Sequence, residues 1–256
     1  MLLTVLGCSG SAPGPRSPAS GYLLQADGFR LVIELGNGTL AELQAVCDPF
    51  TVDALLLSHL HPDHCADFSS LTVLRRYHTA PSRDPRANRL PVHAPREAPS
   101  RFVAAYSPDA ADRATEEQSD IYDFHELGDG TIHIGPFEVT SILAAHPCEA
   151  YSFRIVHDGR SLVYTGDTGV SPALDDLSVG ADVVLAEASW THSVDRPTGM
   201  HMSGTEAGRL AKTAGARRLL ITHILPWTDE TVVLAEARAE IGDAAELVVQ
   251  GGTYEI

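Results

Sequence analysis

The chain has 256 residues, 44% of them hydrophobic and 20% charged, which is enough apolar material to bury a core of domain size. Its formal net charge is -16 at pH 7 and its pI lies near 5.0, a balance that works against nonspecific attachment to nucleic acid or to an anionic membrane surface. No apolar run approaches the length of a membrane span, so a single domain over residues 1–256 is the expected organisation.

Residues 1–6 are apolar, lack a basic flank and are cut off by Gly7-Cys8-Ser9-Gly10, which predicts a strand rather than a signal peptide. Residues 7–18 then form a Gly/Pro/Ser loop without the Gly-Lys-Ser/Thr ending of a Walker phosphate loop. A structural turn is the preferred reading there, and backbone N–H groups lining an anion the other. Strands over 21–26 and 30–34, joined by a turn at Asp27-Gly28, give a β-meander. Gly36-Asn37-Gly38 leads into a short helix over 39–45, and Asp48-Pro49 into the apolar run 54–57, a buried strand.

Directly after that strand comes Ser58-His59-Leu60-His61-Pro62-Asp63-His64, four metal-capable side chains within six residues. His59 and His61, two apart, can grip one cation, while Asp63 and His64 turn towards a second position. Pro62 stiffens the turn between the two pairs.

Beyond the motif, Phe68, Leu71, Val73 and Leu74 have helical spacing within 67–77. Seven arginines (Arg75, Arg76, Arg83, Arg86, Arg89, Arg96 and Arg101) follow. They predict either a solvated face or, for a few of them, contacts to phosphate. The sign of the charge reverses over 109–129, which reads as a solvated helix or mobile loop that could act as a lid. In the second half, strands are expected over 137–143, 152–157, 161–164, 182–187, 218–222 and 246–249, with helices over 203–214 and 229–241. Cys8, Cys47, Cys65 and Cys148 show neither Cys-x-x-Cys spacing nor the density of a disulfide scaffold, which fits a reducing cytoplasm and small packing residues.

The motif at 59–64 resembles the signature of the metallo-β-lactamase superfamily. That resemblance implies an α/β fold, a four-layered αβ/βα sandwich, with metals at the sandwich edge. Carried over residue by residue, it implies three further ligands: His146 in Ala144-Ala145-His146-Pro147, Asp167 in Thr165-Gly166-Asp167-Thr168 and His223 in Ile221-Thr222-His223. Each follows an apolar, strand-like run (137–143, 162–164 and 219–221), where a sheet can present ligands at one edge. The implied centre holds two divalent metal ions. His59, His61 and His146 serve the first, Asp63, His64 and His223 the second, and Asp167 bridges them. Zinc suits such imidazole-rich sets best, with manganese or iron also compatible. Two adjacent dications lower the pKa of a shared water towards neutrality.

Hydrolases of lactams, thioesters and phosphodiesters share this fold, so smaller features must choose among them. The segment His201-Met202-Ser203-Gly204-Thr205-Glu206-Ala207 resembles the one that opens a helix in the ribonuclease Z branch, where its His helps protonate the leaving group. Leu6-Gly7-Cys8-Ser9-Gly10, Pro13, Arg16 and Ser20-Gly21-Tyr22-Leu23-Leu24 are similar to the same branch. The resemblance makes Asp63 and His201 the catalytic candidates.

The chain departs from ribonuclease Z in two places. Only residues 147–166 separate His146 from Asp167, which leaves no room for the branch's tRNA-gripping arm, and Ser17 stands where the branch has Asn. The whole chain also resembles actinobacterial atypical cyclic-nucleotide phosphodiesterases, including Glu187-Ala188-Ser189-Trp190-Thr191-His192-Ser193 and Thr222-His223-Ile224-Leu225-Pro226-Trp227. This implies a phosphodiesterase converting a cyclic nucleotide such as cAMP to the 5′-monophosphate, with Trp190, Trp227, Tyr77 or Phe68 as candidates to stack on the base. The expected partner is a small phosphodiester rather than a large nucleic acid or a membrane, and relatives suggest a homodimer. The alternatives are an armless tRNA 3′-processing endonuclease, a thioesterase or lactonase-type metallo-hydrolase, and a non-enzymatic binding module.

Overall fold

The computed structural model describes residues 1–256. The first sheet is built from β1 (Leu2–Gly7), β2 (Gly21–Ala26), β3 (Phe29–Ile33), β4 (Ala54–Leu56), β5 (Leu90–Ala94), β6 (Tyr122–Glu126) and the last strand, β14 (Thr253–Glu255). Its order is β14-β1-β2-β3-β4-β5-β6, antiparallel from β14 to β3 and parallel from β3 to β6. The second sheet contains β7 (Gly130–Ile134), β8 (Phe137–Leu143), β9 (Tyr151–His157), β10 (Arg160–Tyr164), β11 (Val183–Glu187), β12 (Arg218–Thr222) and β13 (Ala245–Leu247). It runs β13-β12-β11-β10-β9-β8-β7 and repeats the same division, with an antiparallel meander from β7 to β10 and parallel pairing from β10 to β13.

Strand alternation sorts the apolar residues into three interfaces. Leu31, Ile33 and Leu56 face inward against Phe153, Leu162, Tyr164 and Leu185, so one cluster joins the two sheets. Val32 and Leu55 face outward onto the helices α1 (Thr39–Val46), α3 (Phe68–Tyr77) and α4 (Ala98–Tyr106) through Leu43, Phe68 and Phe102. On the far side, Val163, Val184 and Ile221 pack on α6 (Pro172–Ser178), α7 (Gly204–Ala214) and α8 (Glu230–Ile241) through Leu174, Leu210 and Val233. Helix, sheet, sheet and helix make the four layers of the expected sandwich. The central parallel strands are apolar on both faces because both faces are covered. No helix is long and apolar enough to cross a membrane.

The acidic stretch divides into a largely exposed first part and a strand at its end. The short helix α5 (Ala110–Arg113) is followed by β6, which pairs in parallel with β5 along its length. Tyr122 is buried 4.6 Å from the ring of Phe68. The charge of the segment hides an inward Tyr122 and Phe124 separated by an outward Asp123, an edge strand with one apolar face.

The neighbouring arginines answer this acidity. Arg76 pairs with Glu116 at 2.7 Å and Asp120 at 2.9 Å, Arg86 with Asp120 at 3.6 Å and Arg83 with Asp53 at 3.1 Å. Arg75 is buried and donates to the carbonyls of Asn88 and Ile121. Arg76 and Arg86 thus tie the acidic stretch to the edge of the first sheet, while Arg83 reaches back to Asp53.

Candidate metal centre

Every residue of the expected centre follows the carboxyl end of a strand. The motif follows β4, His146 follows β8, Asp167 follows β10 and His223 follows β12. Because β8 and β10 are both antiparallel to β9 while β10, β11 and β12 are parallel, these ends share one edge of the second sheet. Ligands collect where parallel strand ends meet loops.

The residue before β2 and the loop after β3 clamp the motif from behind. Ser20 N–H donates to Asp63 O at 3.1 Å and Leu35 N–H to His64 O at 2.7 Å. Gly36 lies so close that a Cβ there would sit 1.9 Å from Asp63 O, which excludes any side chain. Pro62 opens the single-turn helix α2 (Pro62–Cys65), which carries Asp63 and His64.

Two four-residue donor sets result, beside a smaller group of Glu187, His201 and His223. His59, His61, His146 and Asp167 form one, and Asp63, His64, Asp167 and His223 the other, with all ligand atoms of a set within 4.8 Å of one another. In the first, His59 Nε2 lies 3.0 Å from His61 Nδ1, His146 Nε2 3.2 Å from His61 Nδ1, and Asp167 Oδ2 3.6 Å from His59 Nε2. In the second, His64 Nε2 is 3.2 Å from His223 Nε2 and 3.4 Å from Asp63 Oδ2, while Asp167 Oδ1 is 3.1 Å from His64 Nε2. Asp167 therefore turns one oxygen to each set.

The remaining ring nitrogens are fixed from outside. His146 Nδ1 donates to the carbonyl of Met200 at 3.0 Å, which leaves Nε2 with its lone pair pointing inward. His223 Nδ1 meets Ser189 Oγ at 3.0 Å, and that hydroxyl donates to Glu187 Oε2 at 2.8 Å, so the imidazole is the donor and its Nε2 again turns inward. Asp167 Oδ1 is buried without a hydrogen bond despite its crowded surroundings. Converging lone pairs around an orphaned carboxylate oxygen fit a bound cation, and the imidazole and carboxylate chemistry fits zinc-like ions.

The electrostatics point the same way. Burial works against ionisation of Asp63, but hydrogen bonds with His223 and His64 outweigh it and hold the carboxyl well below the usual range. Burial likewise disfavours charge on His64, yet Asp167 and Glu34 raise its pKa well above the ordinary value. Burial, with His64 nearby, depresses His59. The second set thus favours positive charge, supplied by either protons or a metal, while burial keeps His59 and His146 of the first set neutral, the form in which an imidazole ligates.

His201, just before α7, joins this cluster. Its Nδ1 lies 2.9 Å from Glu187 Oε1 and 3.9 Å from Asp167 Oδ2. The next helix is set by a capping box in which Ser203 Oγ accepts from Glu206 N–H and the Glu206 carboxylate accepts from Ser203 N–H, so the entry to α7 fixes where His201 stands. Burial lowers the pKa of His201, and the Glu187 carboxylate reverses the sign to a net rise.

Two buried carboxylates escaped the sequence reading as organisers of the centre. Glu34 accepts the N–H of Ser58 at 3.1 Å and lies 3.5 Å from His64 Nδ1. Glu187 accepts from Thr168 N–H, Ser189 Oγ and His201. Their signal was present: each is an acid directly closing an apolar strand run, Leu31-Val32-Ile33-Glu34 and Val183-Val184-Leu185-Ala186-Glu187. Glu34→Gln is expected to weaken metal affinity roughly 10- to 100-fold, measured by competition with a chromophoric chelator.

A cavity of about 300 Å³ opens over the centre, lined among others by Ser11, Asp63, His146, Asp167, Met200 and His201. Two of the proposed base-stacking aromatics are unavailable. Phe68 is buried with its ring stacked 3.8 Å from Phe102, and Trp190 is buried between His201, edge-on at 5.3 Å, and Arg196 at 5.0 Å. Cys65 is a buried packing residue whose thiol donates to His61 O at 3.3 Å, and Cys148 lies 4.0 Å from His61 Nε2.

The sequence model of the family described as "Beta-lactamase superfamily domain" matches residues 30–224. The chain is 48% identical over 257 residues to the uncharacterised protein ML1173 of Mycobacterium leprae, covering 99% of this chain and 88% of that one. The crystal structure of the metallo-beta-lactamase fold protein YhfI from Bacillus subtilis superposes with a TM-score of 0.84 at 26% identity, over 99% of this chain and 98% of that one. A ribonuclease Z of Mycolicibacterium gilvum is 27% identical over 94% of this chain and 93% of its own length.

Proposed function

As the chain belongs to the beta-lactamase superfamily, related to its ribonuclease Z branch and with the character of a metallo-hydrolase, we propose that it is a dinuclear phosphodiesterase of small phosphodiesters, in the first place cyclic nucleotides such as cAMP. The observation that carries this reading is Asp167 turning one oxygen to each of two donor sets, with His201 beside them and held by Glu187. His59, His61 and His146 would hold one ion, Asp63, His64 and His223 the other, and Asp167 both. When bound, such a pair supplies water activated at neutral pH and clamps phosphate oxygens.

The chain's own residues do the rest. Asp63, kept ionised by His64 and His223, orients the nucleophilic water by accepting its hydrogen bond. His201 carries a proton on each ring nitrogen in its raised-pKa form. Nδ1–H donates to Glu187, and Nε2–H is the proton handed to the departing alkoxide oxygen. Met200 and Pro147 line the cavity and limit bulk water around the leaving group.

A small substrate is favoured by the volume of the cavity and by the short connection 147–166, most of which is used up in β9 and β10. The net charge of -16 further disfavours a long polyanion.

A panel of phosphodiesters assayed with and without chelator tests the reading. Hydrolysis of a cyclic nucleotide is expected, abolished by chelator and restored by zinc or manganese. Metal-loaded protein that leaves cAMP and 2′,3′-cyclic nucleotides intact refutes it, and cleavage of precursor tRNA on a gel would instead favour the endonuclease reading that the ribonuclease Z relationship suggests.

A further inference from the structure

Apart from the His201 imidazole that serves the leaving group, a phosphate in this cavity meets no cationic side chain: none of the lining residues is lysine or arginine. The amino-terminal loop contributes Ser11 instead. Ser11 has φ 58, a left-handed backbone that a residue with a Cβ adopts only where its surroundings impose it.

Those surroundings can be named. Gly10 N–H donates to Ile224 O at 3.0 Å, Ser9 pairs with Ile224 in a parallel bridge, and Ser9 Oγ donates to Ala12 O at 2.7 Å. A Cβ on Gly10 would lie 2.4 Å from His223 O, so the loop is seated directly on the segment that follows β12. Ser11 is thereby pressed against the cavity. Its N–H is not used by any carbonyl and points to His223 Nε2 at 3.4 Å, an atom of the second donor set. Its hydroxyl makes no hydrogen bond within the chain, and the residue is exposed.

We propose that Ser11 is an anion contact of the active site: its main-chain N–H and its hydroxyl hold a non-bridging phosphate oxygen of the substrate and position it over the two donor sets. This rests on the phosphodiesterase reading for the identity of the substrate. Glycine would satisfy the left-handed backbone at lower cost; the hydroxyl is what serine adds. Two neutral donors also suit a cavity whose carboxylates would repel an anion until cations neutralise them, whereas a fixed guanidinium would compete with the metals for Asp63 and Asp167.

The test is calorimetric titration of inorganic phosphate into metal-loaded wild type, Ser11→Ala and Ser11→Gly, with metal content measured on each sample. Both variants are expected to bind phosphate about tenfold to a hundredfold more weakly at unchanged metal content. Ser11→Gly should also show a higher Tm, since its backbone is relieved. With a phosphodiester, KM should rise more than kcat falls.

Phosphate affinity within about twofold of wild type in both variants, or wild type that binds no phosphate, overturns the assignment. Phosphate binding that depends on Ser11 in a protein that turns over no phosphodiester leaves the contact standing and refutes the phosphodiesterase reading instead.

Discussion

Asp167→Ala is expected to remove both cations together and to lower phosphodiester hydrolysis by about a thousandfold or more, beyond the roughly 10- to 100-fold typical of a residue that only supports a ligand. Its two oxygens divide between the donor sets, Oδ2 at 3.6 Å from His59 Nε2 and Oδ1 at 3.1 Å from His64 Nε2 and 3.2 Å from His223 Nε2. No other carboxylate reaches both sets. Removing it also leaves Asp63 as the one carboxylate of the second set, 3.4 Å from His64 Nε2 and 3.1 Å from His223 Nε2. Metal content by atomic absorption is the primary readout, since it is independent of the substrate. Loss of one ion with retention of the other would mean that Asp167 serves a single position, and full retention of both would refute the shared role. Asp167→Asn, which keeps the shape but not the charge, should fall between the alanine variant and wild type.

His201→Ala should act differently, lowering kcat by about 10²- to 10⁴-fold, the range of general acid catalysis, while both metals stay bound. His201 lies beside the donor sets, yet the seven ligand candidates form both four-residue sets without it. The pH profile separates proton donation from packing. A general acid acts in its protonated form, so on the proposed role activity falls as pH rises through the His201 pKa, which the Glu187 carboxylate raises against the effect of burial. Glu187→Gln withdraws the stabilising carboxylate. The His201 pKa then drops, and the alkaline limb of kcat should move to lower pH. A substrate with a leaving group that needs no proton, such as a p-nitrophenyl ester of phosphate, should be nearly indifferent to His201→Ala. An equal loss with both kinds of leaving group would mean that His201 holds the structure rather than a proton.

The sandwich is implied by the resemblance of the motif, while the individual strands are legible because their signals are local. The runs at 54–57, 137–143 and 162–164 are covered on one face or both, and each breaks off into the residues that carry chemistry. Helix starts were equally legible, with Ser203 and Asp229 standing just before α7 and α8 as caps. The edges were harder to read. β5 and β6 lie inside stretches dominated by charge, and β14 pairs with β1 across nearly the whole chain, a partnership that periodicity cannot express.

The sequence by itself determined that the motif at 59–64 follows a buried strand, because strand period and motif spacing are written in adjacent residues, while the further ligand candidates His146, Asp167 and His223 came with the resemblance that the motif carries. Tertiary structure alone decided the partners. It set Glu34 behind His64, Glu187 between His201 and His223, the arginines of one stretch against the acids of another, and Ser11 against His223. Those contacts join residues tens to hundreds of positions apart, and what brings them together is the order of strands in two packed sheets, a quantity with no local trace along the chain.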